Sequence, residues 1–129
     1  MTDFWPSEVG DVKGVTPPLS LMKEAARDLE KKTNYVLRGE VETVTSADEF
    51  VHVFFVVAPK LNDYRYEVVR VSHTLQLYPA TIHPRESMST LVGQACASPE
   101  ELREGLRQAF ATKDVQEPVR SLLSQSRAA

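Results

Sequence analysis

At 129 residues, with 42% hydrophobic and 26% charged side chains, the chain has the size and balance of one globular domain, not of a disordered, fibrous or disulfide-framed protein. Its formal charge of -3 is spread evenly along the sequence, without the basic footprint of a protein that holds nucleic acid through phosphates. The longest apolar run, Val53 to Ala58, falls far short of the roughly 20 residues a membrane-spanning helix needs, and the single cysteine, Cys96, can form neither an internal disulfide nor a paired-cysteine zinc site.

Residues 1–15 mix Pro6, Gly10 and Gly14 with Asp3, Glu8 and Asp11 and keep no period, which predicts an arm without regular structure. The opening Met-Thr-Asp-Phe-Trp-Pro does not read as a secretory leader, so a reducing compartment, the cytoplasm, is expected. Phe4 and Trp5 are the arm's only large anchors. Their ordinary role is to plug a gap in the chain's own core, and the functional one is to hook a partner.

Thr16-Pro17-Pro18 predicts a helix start with Thr16 as the cap, and Leu19, Met22, Ala26 and Leu29 supply an apolar stripe to about Lys32. The charged outer face of that helix reads as solvated. Asn34 suits a left-handed stop. From Tyr35 to about 45 the period is two, with Leu37, Val41 and Thr43 on one side and Arg38, Glu40 and Glu42 on the other. Gly39 falls on the apolar side, where a missing side chain marks a bulge or the close approach of the helix. A turn at 46–49 leads into a strand, 50–58, that is apolar on both faces and belongs inside the sheet.

After a loop at 59–63, residues 64–78 carry strand composition, but Tyr66 and Val68 share one parity while Val69, Val71, Leu75 and Leu77 share the other. A bulge near Val68 or a break near 72–74 must reset the faces. Pro79 and Pro84 make 79–87 an edge or a loop, and 91–96 reads as a short last strand. Ser98-Pro99-Glu100-Glu101 is a serine cap, a first-turn proline and a capping-box glutamate, opening a helix to about 111. Pro118 would clash inside a helix begun at Asp114, so a turn at 112–117 and a separate last helix from 118 to 126 are expected.

The local motifs of common chemistries are missing. The five glycines are too dispersed for a phosphate loop, no serine sits on a glycine-framed elbow, and Glu40-Val41-Glu42 and Glu67-Val68-Val69 lack the lysine of a metal-dependent nuclease pair. His52, His73 and His83 have no ligand spacing. His52 and His73 are placed to meet across neighbouring strands, yet without a carboxylate or cysteine beside them, so no metal and no cofactor is expected. Cys96, close to a helix start, reads as a structural thiol among small neighbours. Tyr64, Arg65, Tyr66 and Arg70 suggest an RNA-stacking sheet, but parity puts Arg65 opposite both tyrosines and acidic neighbours dilute the charge.

The sequence thus predicts one α+β domain spanning 1–129: an N-terminal helix, an antiparallel meander of three to five strands and two C-terminal helices packed on the sheet. Within it lie an arm (1–15), an α-β-β-β-α core (16–112) and a helical extension (113–129). The function expected is a small non-catalytic interaction module, of the kind found among bacterial regulators, immunity proteins and antitoxins. It would act through a sheet face or edge on another protein or on itself as a homodimer, with Phe4, Trp5, Tyr64, Arg65, Tyr66 and Arg70 as contact residues. The alternatives are an enzyme or ligand-binding domain with a pocket of His52, His73, Tyr66 and Tyr78, and an RNA-binding sheet.

Overall fold

In the computed structural model, which describes residues 4–84 and 93–129, the period-two stretches form one antiparallel meander. Its strands are β1 (Arg38–Ser46), β2 (Glu49–Ala58), β3 (Tyr64–His73), β4 (Ala80–His83) and β5 (Gln94–Cys96), lying in sequence order across the sheet. Three helices, α1 (Pro18–Lys32), α2 (Pro99–Phe110) and α3 (Lys113–Ala128), lie on one face and make the chain α+β. No helix among the described residues is long and apolar enough to cross a membrane.

α1 ends as Asn34 predicts. Asn34 and Tyr35 both take positive φ, 52° and 63°, while Tyr35 N–H donates to the Glu30 carbonyl at 2.7 Å and Asn34 N–H to that of Lys31 at 3.2 Å. This is a Schellman closure, and it delays the strand expected from Tyr35 until Arg38. The start of α1 differs too: Pro17 occupies the cap position without a side-chain bond, and Thr16 instead offers its carbonyl to the Tyr78 hydroxyl at 2.7 Å. Gly39 is where helix and sheet touch, since a Cβ there would lie 2.6 Å from both Cα and Cβ of Ala26.

The face reset in β3 is a bulge at Val68: Phe54 pairs with Val69 and Phe55 with Glu67, leaving Val68 unpaired but buried in the core. Tyr66, Val69, Val71 and His73 therefore face the helices, and Arg65, Glu67 and Arg70 the other side. Residues 80–83, expected as an edge or loop, form an interior strand between β3 and β5, because Pro79 and Pro84 flank it without entering the ladder. Of the expected last strand, 94–96 is present, and 91–92 lie outside the described residues, as do 85–87.

α2 carries the predicted box: Ser98 Oγ accepts from Glu101 N–H at 3.2 Å, and Glu101 reaches back to the Ala97 N–H at 2.9 Å. The expected break before Pro118 does not occur. α3 runs unbroken from Lys113, with Pro118 five residues inside its start. The carbonyl that Pro118 leaves without its helical donor is that of Asp114, and the Tyr66 hydroxyl donates to it at 3.4 Å. Further along α3, Ser126 is fully buried and its hydroxyl meets no hydrogen-bond partner among the described residues. Ser126→Ala is expected to raise stability by about 1 kcal/mol, because a buried unpaired hydroxyl gives up its hydration without return. Urea unfolding checks this, and a variant less stable than the parent would contradict it.

Candidate functional site

On the sheet face away from the helices, β2 presents Val53, Phe55 and Val57. Val53 and Val57 are 5% and 1% exposed although no described helix covers them. Their cover is the chain's own. Arg65 lies with its guanidinium 3.9 Å from the Phe55 ring centre and reaches across β2 to Glu40 at 3.5 Å and Glu42 at 2.6 Å on β1. Arg38 meets Glu40 at 3.3 Å, and Arg70 meets Glu67 at 2.8 Å. Each exposed pair contributes little alone, but the arginine stems exclude water from the valines beneath. Tyr64 and Tyr66 sit on the opposite face, as parity predicts, so the tyrosines and Arg65 form no common stacking surface.

His52 and His73 do meet, at one end of the helix-side face. Their Nε2 atoms are 2.8 Å apart, Thr43 Oγ1 lies 2.8 Å from His52 Nδ1, and His73 Nδ1 lies 2.7 Å from the Thr74 carbonyl. A carbonyl only accepts, so His73 donates from Nδ1 and accepts at Nε2 from His52 Nε2–H. His52 Nδ1 then accepts from the Thr43 hydroxyl. With both rings neutral, every ring nitrogen is satisfied. Burial first, and His73 second, hold His52 down to about 4. Phe50 stacks on His73 with ring centres 5.5 Å apart.

Tyr66 and Tyr78 do not join this pair. Tyr66 pairs with Val56 near the other end of β3 and lines a small hollow with Leu61 and Pro118, while Tyr78 bonds to Thr16 and burial pushes its hydroxyl up. On the outer face Ser72 Oγ and His83 Nε2 are 2.7 Å apart. Cys96 is fully buried, and burial followed by the nearby Glu101 raises its thiol, as suits a structural residue.

A concavity lies between α1 and the α2–α3 pair, a groove of about 1020 Å³. Its floor is apolar, made by Leu29, Phe54, Val68, Leu106, Phe110 and Val119. Its rim carries Arg27, Lys31, Lys32, Arg103, Arg107 and Arg120 against only Glu24 and Asp28. A chain of net charge -3 thus concentrates an excess of four positive charges around one opening. Arg103 is engaged by Glu24 at 3.2 Å, Lys32 by Asp28 at 2.9 Å and Arg107 more loosely by Glu104 at 3.8 Å, whereas Arg27, Lys31 and Arg120 make no ion pair among the described residues. Read singly, the flanks of α1 and α2 are solvated faces; only their spacing over the sheet makes them two walls of one groove.

The arm is the second unpartnered feature. Every residue from Phe4 to Val15 is exposed, Phe4 at 93% and Trp5 at 74%, so these aromatics do not plug the chain's own core. Comparison with protein-family models, with curated proteins and with solved structures finds no match.

Proposed function

We propose that the chain is a non-catalytic interaction module that docks an acidic, amphipathic segment of a protein in the groove between α1 and the α2–α3 pair. The observation that carries this reading is an apolar floor in which Leu29, Phe110 and Val119 stay half-buried over the buried Phe54, Val68 and Leu106, beneath a rim of six cations. An apolar floor supplies affinity, while a rim of one sign selects and steers the partner. The outer sheet face gets less support as the docking surface, because its apolar residues are already covered by Arg65 and its carboxylate partners. An enzyme built on His52 and His73 also gets less support, since those rings spend their nitrogens on each other and on Thr43 and Thr74.

A labelled peptide of about 16 residues, built of Glu and Leu at helical spacing, should bind the full chain, and its Lys and Leu counterpart should not. Arg107→Glu with Arg120→Glu should weaken the acidic peptide tenfold or more. Fluorescence anisotropy measures both, and equal binding of the two peptides, or no effect of the double variant, rejects the groove as a docking surface.

A further inference from the structure

We infer that the occupant of the groove is the N-terminal arm of a second copy of this chain, so that two copies associate by exchanging arms; the inference rests on the groove being a docking surface for an acidic amphipathic segment. The arm has that chemistry. Across residues 3–15 the sequence holds Asp3, Glu8 and Asp11 against one base, Lys13, interleaved with Phe4, Trp5, Val9 and Val12. The groove has the complement, three acids meeting a rim with four positive charges in excess. Phe4, Trp5, Val9 and Val12 are 93%, 74%, 60% and 68% exposed, an apolar set that lacks cover on the chain that carries it. Aromatic side chains are the residues that most often anchor such contacts.

The geometry of the arm's root favours a second copy over the chain's own groove. Thr16 and Pro17 each precede a proline, which restricts both to extended backbone, and Pro17 sits at φ -71°, ψ 153°. The Tyr78 hydroxyl pins the Thr16 carbonyl at 2.7 Å. The arm lies off its own groove: no described residue before Leu21 lines that groove, and every residue from Phe4 to Val15 is exposed. Beyond this root the arm folds locally, with a 3-10 turn at Ser7–Gly10 and a Val15 N–H to Val12 carbonyl bond of 3.2 Å beside Gly14 at φ 80°, and it holds Phe4 and Trp5 out where a neighbouring molecule can take them up.

Trp5 is the only tryptophan, so its fluorescence reports the arm directly. With the full chain, light-scattering mass should double as concentration rises, Trp5 emission should shift to the blue over the same range, and both changes should reverse in high salt. Arg107→Glu with Arg120→Glu, and separately Phe4→Ala with Trp5→Ala, should each raise the dimer dissociation constant tenfold or more. These positions are exposed, so the variants keep the fold, which circular dichroism verifies. Mixing the groove variant with the arm variant should recover association in part, because one of the two exchanged contacts then joins an intact arm to an intact groove. A monomer at every concentration, a dimer in which Trp5 stays solvent-exposed, or a concentration-independent blue emission from a monomer each overturns arm exchange. If the Glu and Leu peptide still binds in any of those cases, the groove reading stands and only the arm is rejected as its occupant. If that peptide fails too, both fall.

Discussion

Between pH 6.5 and pH 4 the folded state is expected to lose about 3 kcal/mol through His52 alone. The ring is 3% exposed, and it is held at about 4 against an ordinary 6.5, first by burial and then by His73. In the unfolded chain His52 takes its proton near 6.5; in the folded chain it resists until about 4. The unfolded state therefore binds more protons throughout that window, and falling pH favours it. The stability is fully present above 6.5, declines as pH falls and is gone below about 4, and a displacement of that size corresponds to about 3 kcal/mol. The hydrogen-bond chain gives the same sign. A proton added to His52 enters at Nδ1, the atom that accepts from the Thr43 hydroxyl at 2.8 Å, and breaks that bond until the hydroxyl turns round. His52→Gln keeps hydrogen-bonding capacity without a titrating charge, so its stability should vary much less than the parent's from pH 6.5 to about 5.5. Urea unfolding followed by circular dichroism across that range measures the difference. Parallel curves for the two proteins would show that His52 is not the group responsible.

Much of this fold is written in local signals, and its departures share one cause. The end of α1 at Asn34, the need for a bulge at Val68 and the box that opens α2 each involve residues within a few positions of one another, so spacing alone reveals them. The continuous α3 does not follow from spacing, because the hydroxyl that meets the carbonyl vacated by Pro118 comes from Tyr66, 48 positions earlier. Parity sets Glu40 and Glu42 on the polar side of their strand, Arg65 opposite Tyr64 and Tyr66, and apolar residues on both faces of β2; that Arg65 meets the two glutamates over β2 depends on strand register and side-chain reach. The histidine pair was legible because neighbouring strands bring 52 and 73 together. The groove was not, since each basic flank is an ordinary solvated helix side until the sheet sets the two opposite each other. The exposure of Phe4 and Trp5 reverses the default role of aromatic residues, and no local signal marks it.

Gly39→Leu is expected to destabilise the fold by about 3 kcal/mol, at the upper end of what overpacking a core commonly brings. β1 meets α1 backbone to backbone at this point: a Cβ on Gly39 would lie 2.6 Å from Cα and Cβ of Ala26 and 3.2 Å from its carbonyl oxygen. A flexible side chain in the way would turn aside at small expense. Here the obstacle includes the helix backbone, so α1 itself must retreat, and Met22 and Leu21, now 0% and 3% exposed, would lose packing as it moved. Gly10→Ala is the matched control, because a Cβ at Gly10 meets nothing within 4 Å and no stability change is expected there. Circular dichroism is the right probe, since Trp5 lies on the exposed arm and does not report the core. α1 is also one wall of the groove, so a Gly39→Leu protein that still folds at low temperature should bind the Glu and Leu peptide more weakly than the parent does. If Gly39→Leu matches Gly10→Ala in stability, α1 does not rest on β1 as described, and the groove loses the wall that carries Arg27 and Lys31.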